Sequence, residues 1–363
     1  MRILIAPDKF KGSLSAPEVA KNIAHGLAYV LPRAKIDVLP LADGGEGTAE
    51  VICAAIGGSW VHCPAHDPLG REIDARYAWI ENQKLAVMEM SEAGGMRRLA
   101  EKERDPVHAT TFGVGEMILN AAKRGADDVI VGLGGSATND GGFGMARALG
   151  YEFFYGPGGA TLDGFKPSSL RELERIRKPR GLRLPQIIAA VDVQNPLLGE
   201  TGATRVYGPQ KGATPDKMDN LEKSLTRLAD VIRQDFGVDF RDQPGAGAAG
   251  GLGFGLMSFC GATVRPGFDV VAEAVGLEAK MRNADLVITG EGKLDHQTLS
   301  GKTPAGVARM AQKLGKRVFA IVGCVSEDRE ARKIFEAVYE LGGAISDAPR
   351  LLREKAAELA KTL

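Results

Sequence analysis

The sequence predicts an α/β protein. A Rossmann-like unit with a parallel sheet is formed jointly by the two ends of the chain, and a second, mixed-sheet α/β unit is inserted between them. Three observations carry this reading. Both ends of the chain alternate short apolar strands with helical stretches, the grammar of parallel sheets. From about residue 60 that alternation gives way to strands separated by turns alone. Glycine accounts for 47 of 363 residues, clustered beside Asp, Glu, Ser and Thr with only 18 prolines and no low-complexity tract. That is nearly twice the ~7% norm, and the clustering suggests loops that approach a ligand closely. At roughly 150 residues per domain, the length suggests two domains. We assign residues 1–64 and 276–363 to the Rossmann-like unit and 65–275 to the insert.

The elements follow in order. Ile3, Leu4, Ile5 and Ala6 form a first strand, followed by a polar loop from Asp8 to Leu14. Ser15-x-x-Glu18 is a capping box with Pro17 inside the first turn, and Val19, Ile23, Leu27 and Val30 recur at helical spacing. Ile36, Val38 and Leu41 read as a second strand, and a short helix then ends at Gly57-Gly58. Val61-His62-Cys63, Tyr77-Ala78-Trp79-Ile80 and Leu85-Ala86-Val87-Met88 read as an antiparallel meander. Helices are expected over about 115–123, 144–149 and 215–235, with strands over 128–133 and 187–191. The chain closes with a strand at 286–289, a helix at 304–314, a strand at 318–322 and a helix at about 351–363.

Lys+Arg and Asp+Glu each number 46, giving a formal charge of zero, and the basic stretches are as short as Arg175 to Arg183. Nucleic-acid binding calls for a basic excess or patch, so it is not expected. No stretch approaches the ~18 apolar residues of a membrane span, and the N-terminus turns polar too soon for a signal peptide. A cytoplasmic protein is the expectation. Cys53, Cys63, Cys260 and Cys324 are widely spaced with no CxxC pair, which fits reduced thiols. His62-Cys63-x-x-His66 lacks a second ligand pair, so it does not read as a zinc site.

Four glycine clusters carry the functional signal. Asp43-Gly44-Gly45-Glu46-Gly47-Thr48 follows a strand and opens a helix, where free N–H groups and the helix dipole favour an anion. Gly134-Gly135-Ser136-Ala137-Thr138-Asn139-Asp140-Gly141-Gly142 offers hydroxyls, an amide and backbone donors to phosphate or substrate oxygens. Residues 245–253 contain a literal GxGxxG that ends at Gly250 and is followed by Gly251, both candidates. What precedes is Arg241-Asp242-Gln243-Pro244 rather than an apolar strand, so this is no dinucleotide fingerprint. In the fourth cluster Gly301-Lys302-Thr303 resembles the end of a phosphate loop, but His296 stands where the first glycine of that loop belongs. Glu291, Asp295, Gln297 and Lys302 remain candidates there, close to a helix opened by Pro304. Smaller candidates are Lys9, Lys11 and Ser13 after the first strand, Asp192 and Asn195 after the strand at 187–191, and Lys211 in Gly208-Pro209-Gln210-Lys211-Gly212.

This inventory holds carboxylates, ammonium groups and backbone donors, with no catalytic triad and no thiolate site. Phosphoryl transfer needs positioning and charge neutralisation more than covalent chemistry, so the residues favour a kinase of a small hydroxylated molecule. Lys11 and Lys302 would neutralise phosphate or carboxylate charge. Asp192 is the choice for the base, since it ends an apolar strand with no cation adjacent in sequence. Asp43, Glu46 and Glu291 could hold Mg²⁺, with Asp43 and Glu291 preferred.

These stretches resemble the bacterial glycerate kinase family, of the glycerate 2-kinase kind. The resemblance rests on IAPDKFKGSLSA (5–16), ADGGEGT (42–48), GGSATNDGG (134–142), DVQNPLLG (192–199), GPQKGA (208–213), GAGAAGGLG (245–253) and TGEGKLDHQT with GKTP (289–304). It implies ATP- and Mg²⁺-dependent phosphorylation of D-glycerate to 2-phosphoglycerate, with 3-phosphoglycerate as the alternative product. Other readings are a kinase of another small hydroxy or sugar acid, and a non-catalytic phosphometabolite-binding protein. A homo-oligomer is compatible with all three. Lys9 departs from the family pattern, standing where Ser is common.

Overall fold

The computed structural model describes residues 1–156, 167–295, 302–326 and 330–363. The chain runs β1 (Arg2–Ile5), α1 (Ala16–Val30), β2 (Lys35–Val38), α2 (Thr48–Ile56), β3 (Ser59–His66), β4 (Glu72–Ile80) and β5 (Leu85–Glu89). It continues α3 (Ser91–Gly94), α4 (Phe112–Arg124), β6 (Asp128–Gly132), α5 (Phe143–Ala148), β7 (Glu152–Tyr155), β8 (Leu173–Arg177) and β9 (Gln186–Val191). Next come α6 (Ala203–Tyr207), α7 (Pro215–Phe236), α8 (Ala248–Cys260), β10 (Thr263–Pro266), α9 (Gly267–Ala274) and α10 (Leu277–Arg282). Last are β11 (Leu286–Leu294), α12 (Thr303–Lys313), β12 (Arg317–Val325), β13 (Ala337–Glu340) and α13 (Ala348–Ala360). Contacts divide the chain into an outer unit, Met1–Ile56 with Pro266–Leu363, and an inserted unit, Gly57–Arg265. The expected border after residue 64 falls inside β3; alternation within one strand does not say which sheet the strand joins.

The outer unit is built on a sheet of order β13-β12-β11-β1-β2, parallel at every pairing. Ile5 lies opposite both Val38 and Ile288, and Glu291 opposite Val322. Ile3, Ile5, Ile23, Leu27, Ile288, Ile321, Leu352 and Leu359 belong to one buried cluster between this sheet and helices α1 and α13. The capping box forms as expected, with Glu18 Oε2 accepting from both the Ser15 amide and its hydroxyl at 2.8 Å. Gly26 lets α1 and α13 approach: a Cβ there would lie 2.2 Å from the Arg353 carbonyl oxygen. From β1 the chain winds outward through β2, and from β11 it winds the other way through β12 and β13. The carboxyl ends of β1 and β11 therefore form a topological switch point, where open α/β sheets bind ligands.

The inserted unit has a mixed sheet of order β10-β9-β6-β5-β4-β3. The meander β3-β4-β5 is antiparallel, and β5-β6-β9 continue in parallel. A separate β7–β8 hairpin stands beside it. Tyr77, Met88, Met117, Val129, Val131, Phe143, Leu225, Leu228 and Phe254 lie in its core. The glycine run at 245–253 is the largest difference from the sequence reading, which sees at most a helix start there. It lies within and just before α8, and Ala249, Gly250 and Gly251 all have positive φ (54°, 68° and 87°) at a kink between two helical pieces.

Candidate functional site

In the outer unit the switch point opens into a cavity of about 470 Å³. Its lining includes Asp8, Lys9, Lys11, Ser13, Asp43, Glu291, Asp295 and Lys302, so the three stretches read from this unit converge on one cleft. The local reasons are plain. β1 ends at Ile5, and the next amides stay on the sheet edge: Ala6 N donates to Ile288 O and Asp8 N to Gly290 O, both at 2.8 Å. The following turn closes through Phe10 N to Leu14 O at 2.8 Å, with Gly12 at φ 77°. Lys11 and Ser13 stand exposed on that turn. Gly44 and Gly47 take left-handed conformations (φ 92° and 95°), and the Asp43 carboxylate caps the amide of Gly45 at 3.1 Å.

Asp8 is only 6% exposed. Its carboxylate accepts from the Lys9 amide and from the Thr303 hydroxyl, each at 2.6 Å. The Lys9 ammonium lies 3.8 Å from Asp8 and 3.7 Å from Asp43. Burial, with the Asp43 carboxylate adding to it, pushes the Asp8 carboxyl up to about 6, against the pull of Lys9 and Thr303. Lys302 sits in the N-cap position of α12, with Pro304 in the first turn. Glu291 is buried in the second half of β11, three residues before the strand ends. Lys293 pairs with Asp295 at 3.9 Å. Glu46 lies in an adjoining hollow of about 190 Å³ that shares Asp8 and Lys9. Gly44 and Gly45 shape the loop between them; Gln297 lies outside the described residues.

In the inserted unit the loop 134–142 joins β6 to α5, and β9 is the neighbouring strand. Asp140 is fully buried and accepts from Thr111 N (2.9 Å), Thr111 Oγ1 (2.9 Å), Gly142 N (3.1 Å) and Gly144 N (3.0 Å). Burial nevertheless raises its carboxyl. Gly134 and Gly135 lead out of β6, and Met96 N donates to Gly135 O at 2.9 Å. Ser136 bridges Gly95. Lys211 is 2% exposed and donates to Thr138 O at 2.8 Å; burial brings its ammonium down to about 7, although Asp140 acts the other way. Asn139 Nδ2 donates to Thr204 Oγ1 at 3.0 Å, while its Oδ1 is buried with no hydrogen-bond partner. Gly250 and Gly251 pack against this loop: a Cβ on Gly250 would lie 2.0 Å from Thr138 O, and one on Gly251 2.9 Å from Gly141 Cα. Asp192 is exposed just past β9. Asn195 accepts from the Tyr207 hydroxyl and donates to Thr201 O, both at 2.7 Å, so its amide is engaged within the unit.

Among the described residues no three His, Cys, Asp or Glu side chains are gathered tightly enough to hold a metal ion by themselves. The cleft's donors are carboxylate oxygens, which suits Mg²⁺: that ion commonly takes one or two carboxylates and completes its shell with water and substrate phosphates. Three further polar residues lie in or next to these loops: Asp8, Thr303 and Ser91. Asp8 was legible as the first acid after an apolar strand, and Thr303 as the opening residue of a helix. Ser91, buried with an unpartnered hydroxyl just past β5, had no sequence signal.

Two α/β units, each setting charged and glycine-rich loops at the carboxyl ends of parallel strands, make up an α/β class of protein whose loops suit small anionic ligands. The profile of the glycerate kinase family matches residues 3–363. Glycerate 2-kinase of Escherichia coli K12 is 44% identical over 332 residues, covering 90% of this chain and 86% of the relative. Glycerate kinase of Halalkalibacterium halodurans is 41% identical over 356 residues, covering 96% and 91%. The crystal structure described as "putative glycerate kinase 2" from Salmonella typhimurium LT2 superposes with a TM-score of 0.89 at 41% identity, covering 100% of this chain and 98% of that one. The chain belongs to the glycerate kinase family.

Proposed function

We propose that this chain transfers the terminal phosphoryl group of ATP to D-glycerate, giving 2-phosphoglycerate. The observation that carries the reading is the switch-point cleft, where Lys9, Lys11 and Lys302 line one cavity with Asp8, Asp43 and Glu291 in a chain of this family. Lys11 and Lys302 neutralise phosphate charge as it is transferred. Asp43 and Glu291 hold Mg²⁺, which when bound neutralises phosphate oxygens. Lys9, Ser13, Gly44, Gly45, Glu46 and Asp295 complete the ligand contacts of the outer unit.

In the inserted unit, Gly134, Gly135, Ser136, Thr138, Asn139, Asp140, Asn195, Lys211, Gly250 and Gly251 form or support the remaining contacts. The unpartnered Asn139 Oδ1 fits a substrate hydroxyl, which would donate to it. Asp192 accepts the proton of the attacking hydroxyl; its exposure at the end of β9 leaves it accessible to a ligand. No described helix is long and apolar enough to cross a membrane, and all four cysteines are free thiols, which fits a cytoplasmic setting.

Coupled ADP release with and without D-glycerate tests the reading, and phosphorus NMR of the product identifies the hydroxyl. Glycerate-dependent ADP release with a 2-phosphoglycerate signal is the expected result. A 3-phosphoglycerate signal would correct the regiochemistry. No glycerate-dependent turnover, with turnover on another hydroxy acid, would replace the substrate.

A further inference from the structure

We infer that the outer unit's cleft is the nucleotide site, with the triphosphate at its β1/β11 end and the purine ring on an apolar wall built by β13 and α13. The inference rests on the phosphotransfer reading above and adds which ligand this cavity takes and which way round it lies.

Strand order sorts the cavity lining. Asp43 follows β2, the turn of Lys9 and Lys11 follows β1, and Glu291 lies in the second half of β11; these are the three strands on one side of the sheet. The other two strands contribute no charge to the lining. β12 gives Gly323 and Cys324, the exit of β13 gives Leu341 and Ala344, and α13 gives Ala348 and Leu351. One cavity therefore passes from lysines and carboxylates to aliphatic side chains across neighbouring strands. With strands about 4.8 Å apart, the three spacings from β1 to β13 cover about 14 Å. That is the reach of an extended nucleoside triphosphate and several times a three-carbon acid. The volume agrees: 470 Å³ lies within the roughly 300–1,000 Å³ of ligand clefts and far exceeds what glycerate fills.

The floor between the two ends is backbone. Gly292 and Gly323 lie on the paired strands β11 and β12; a Cβ on Gly323 would sit 2.4 Å from Gly292 O, and one on Gly292 3.3 Å from the Lys11 amide. A flat, elongated ligand can lie on such a floor. Glycerate offers nothing for the wall of Leu341, Ala348 and Leu351, whereas a purine face buries on it. The hydroxyl, amide and ammonium groups of the inserted unit's loop 134–142 and Lys211 are then left for the hydroxy acid.

Two measurements decide. Ala344 is exposed, so Ala344→Trp fills the apolar end without entering the core. It should raise KM for ATP by roughly tenfold or more and leave KM for D-glycerate within about twofold; titration with a non-hydrolysable ATP analogue in the absence of glycerate should show the same loss. Independently, an azido-purine ATP analogue photolysed on the unmodified enzyme should label the peptide carrying residues 341–351. A rise confined to KM for glycerate, or a label on the inserted unit's peptides alone, would overturn the proposal. If the unmodified enzyme labels at 341–351 yet phosphorylates no glycerate, the nucleotide site stands and the substrate reading falls.

Discussion

At the residue scale, two charged side chains sit in opposite settings, Asp192 exposed past β9 and Lys211 buried. Asp192 and Lys211 give the sharpest contrasts. Asp192→Asn preserves shape and should lower kcat by roughly 10²–10⁴-fold if this carboxylate takes the substrate proton, with KM little changed. A steady-state assay at saturating Mg²⁺ checks it; normal turnover returns Asp192 to an ordinary strand end. Lys11→Met or Lys302→Met should depress kcat/KM for ATP while thermal unfolding stays near that of the unmodified protein. Lys211 sets a pH dependence. An exposed lysine keeps its proton to about 10.5, whereas folded Lys211 keeps it only to about 7. Between those values the unfolded chain holds the extra proton, so stability rises with pH, by at most about 1.4 kcal/mol per unit. Denaturant midpoints at pH 7 and pH 9 should diverge for the unmodified protein relative to Lys211→Met. Parallel shifts in both would mean that the lysine stays charged in the fold.

At the element scale, the kinked α8 fixes the loop before α5. Gly250→Ala places a methyl 2.0 Å from Thr138 O on a residue at φ 68°. It should cost about 1–3 kcal/mol and displace Thr138 and Asn139. Chemical denaturation and glycerate KM should therefore worsen together. Destabilisation with an unchanged KM would show that the loop bears no ligand. Much of the scaffold around these loops was legible beforehand. The capping box at Ser15 and Glu18, the apolar spacing of α1 and the long amphipathic α7 (Pro215–Phe236) are local signals, and the structure keeps them. The antiparallel pairing of β3, β4 and β5 was equally legible, because turns alone separate the strands. The strands β7, β8, β10 and β13 carry no such signal: charged residues interrupt each of them or flank it closely, unlike the apolar run of the equally short β1. Nor does the α8 kink, whose glycines answer to backbone packed on them from residues 138–141. Asp8 shows the same limit at the cleft: its link to Thr303 joins residues 295 positions apart, which no window of sequence contains.

At the scale of the whole molecule, the outer unit depends on both chain ends, and the helices α1 and α13 meet at Gly26 with almost no clearance. Gly26→Ala should thus loosen both helices at once, and hydrogen exchange should show the amides of 16–30 and 348–360 losing protection together. Loss confined to α1 would mean that α13 is held by other neighbours. This arrangement also has a consequence for synthesis. The inserted unit is one continuous stretch, 57–265, and every strand pair it needs has left the ribosome well before the chain is finished. The outer unit cannot follow suit, because β1 has one of its two neighbours, β11, 281 or more residues away. Closing so long a loop carries an entropic cost that only the final helices offset. A nascent chain therefore carries β1 without β11 and α1 without α13 through most of its translation. No shortened product that stops before β11 can own the cleft, so premature termination leaves an empty-handed fold instead of a weak enzyme.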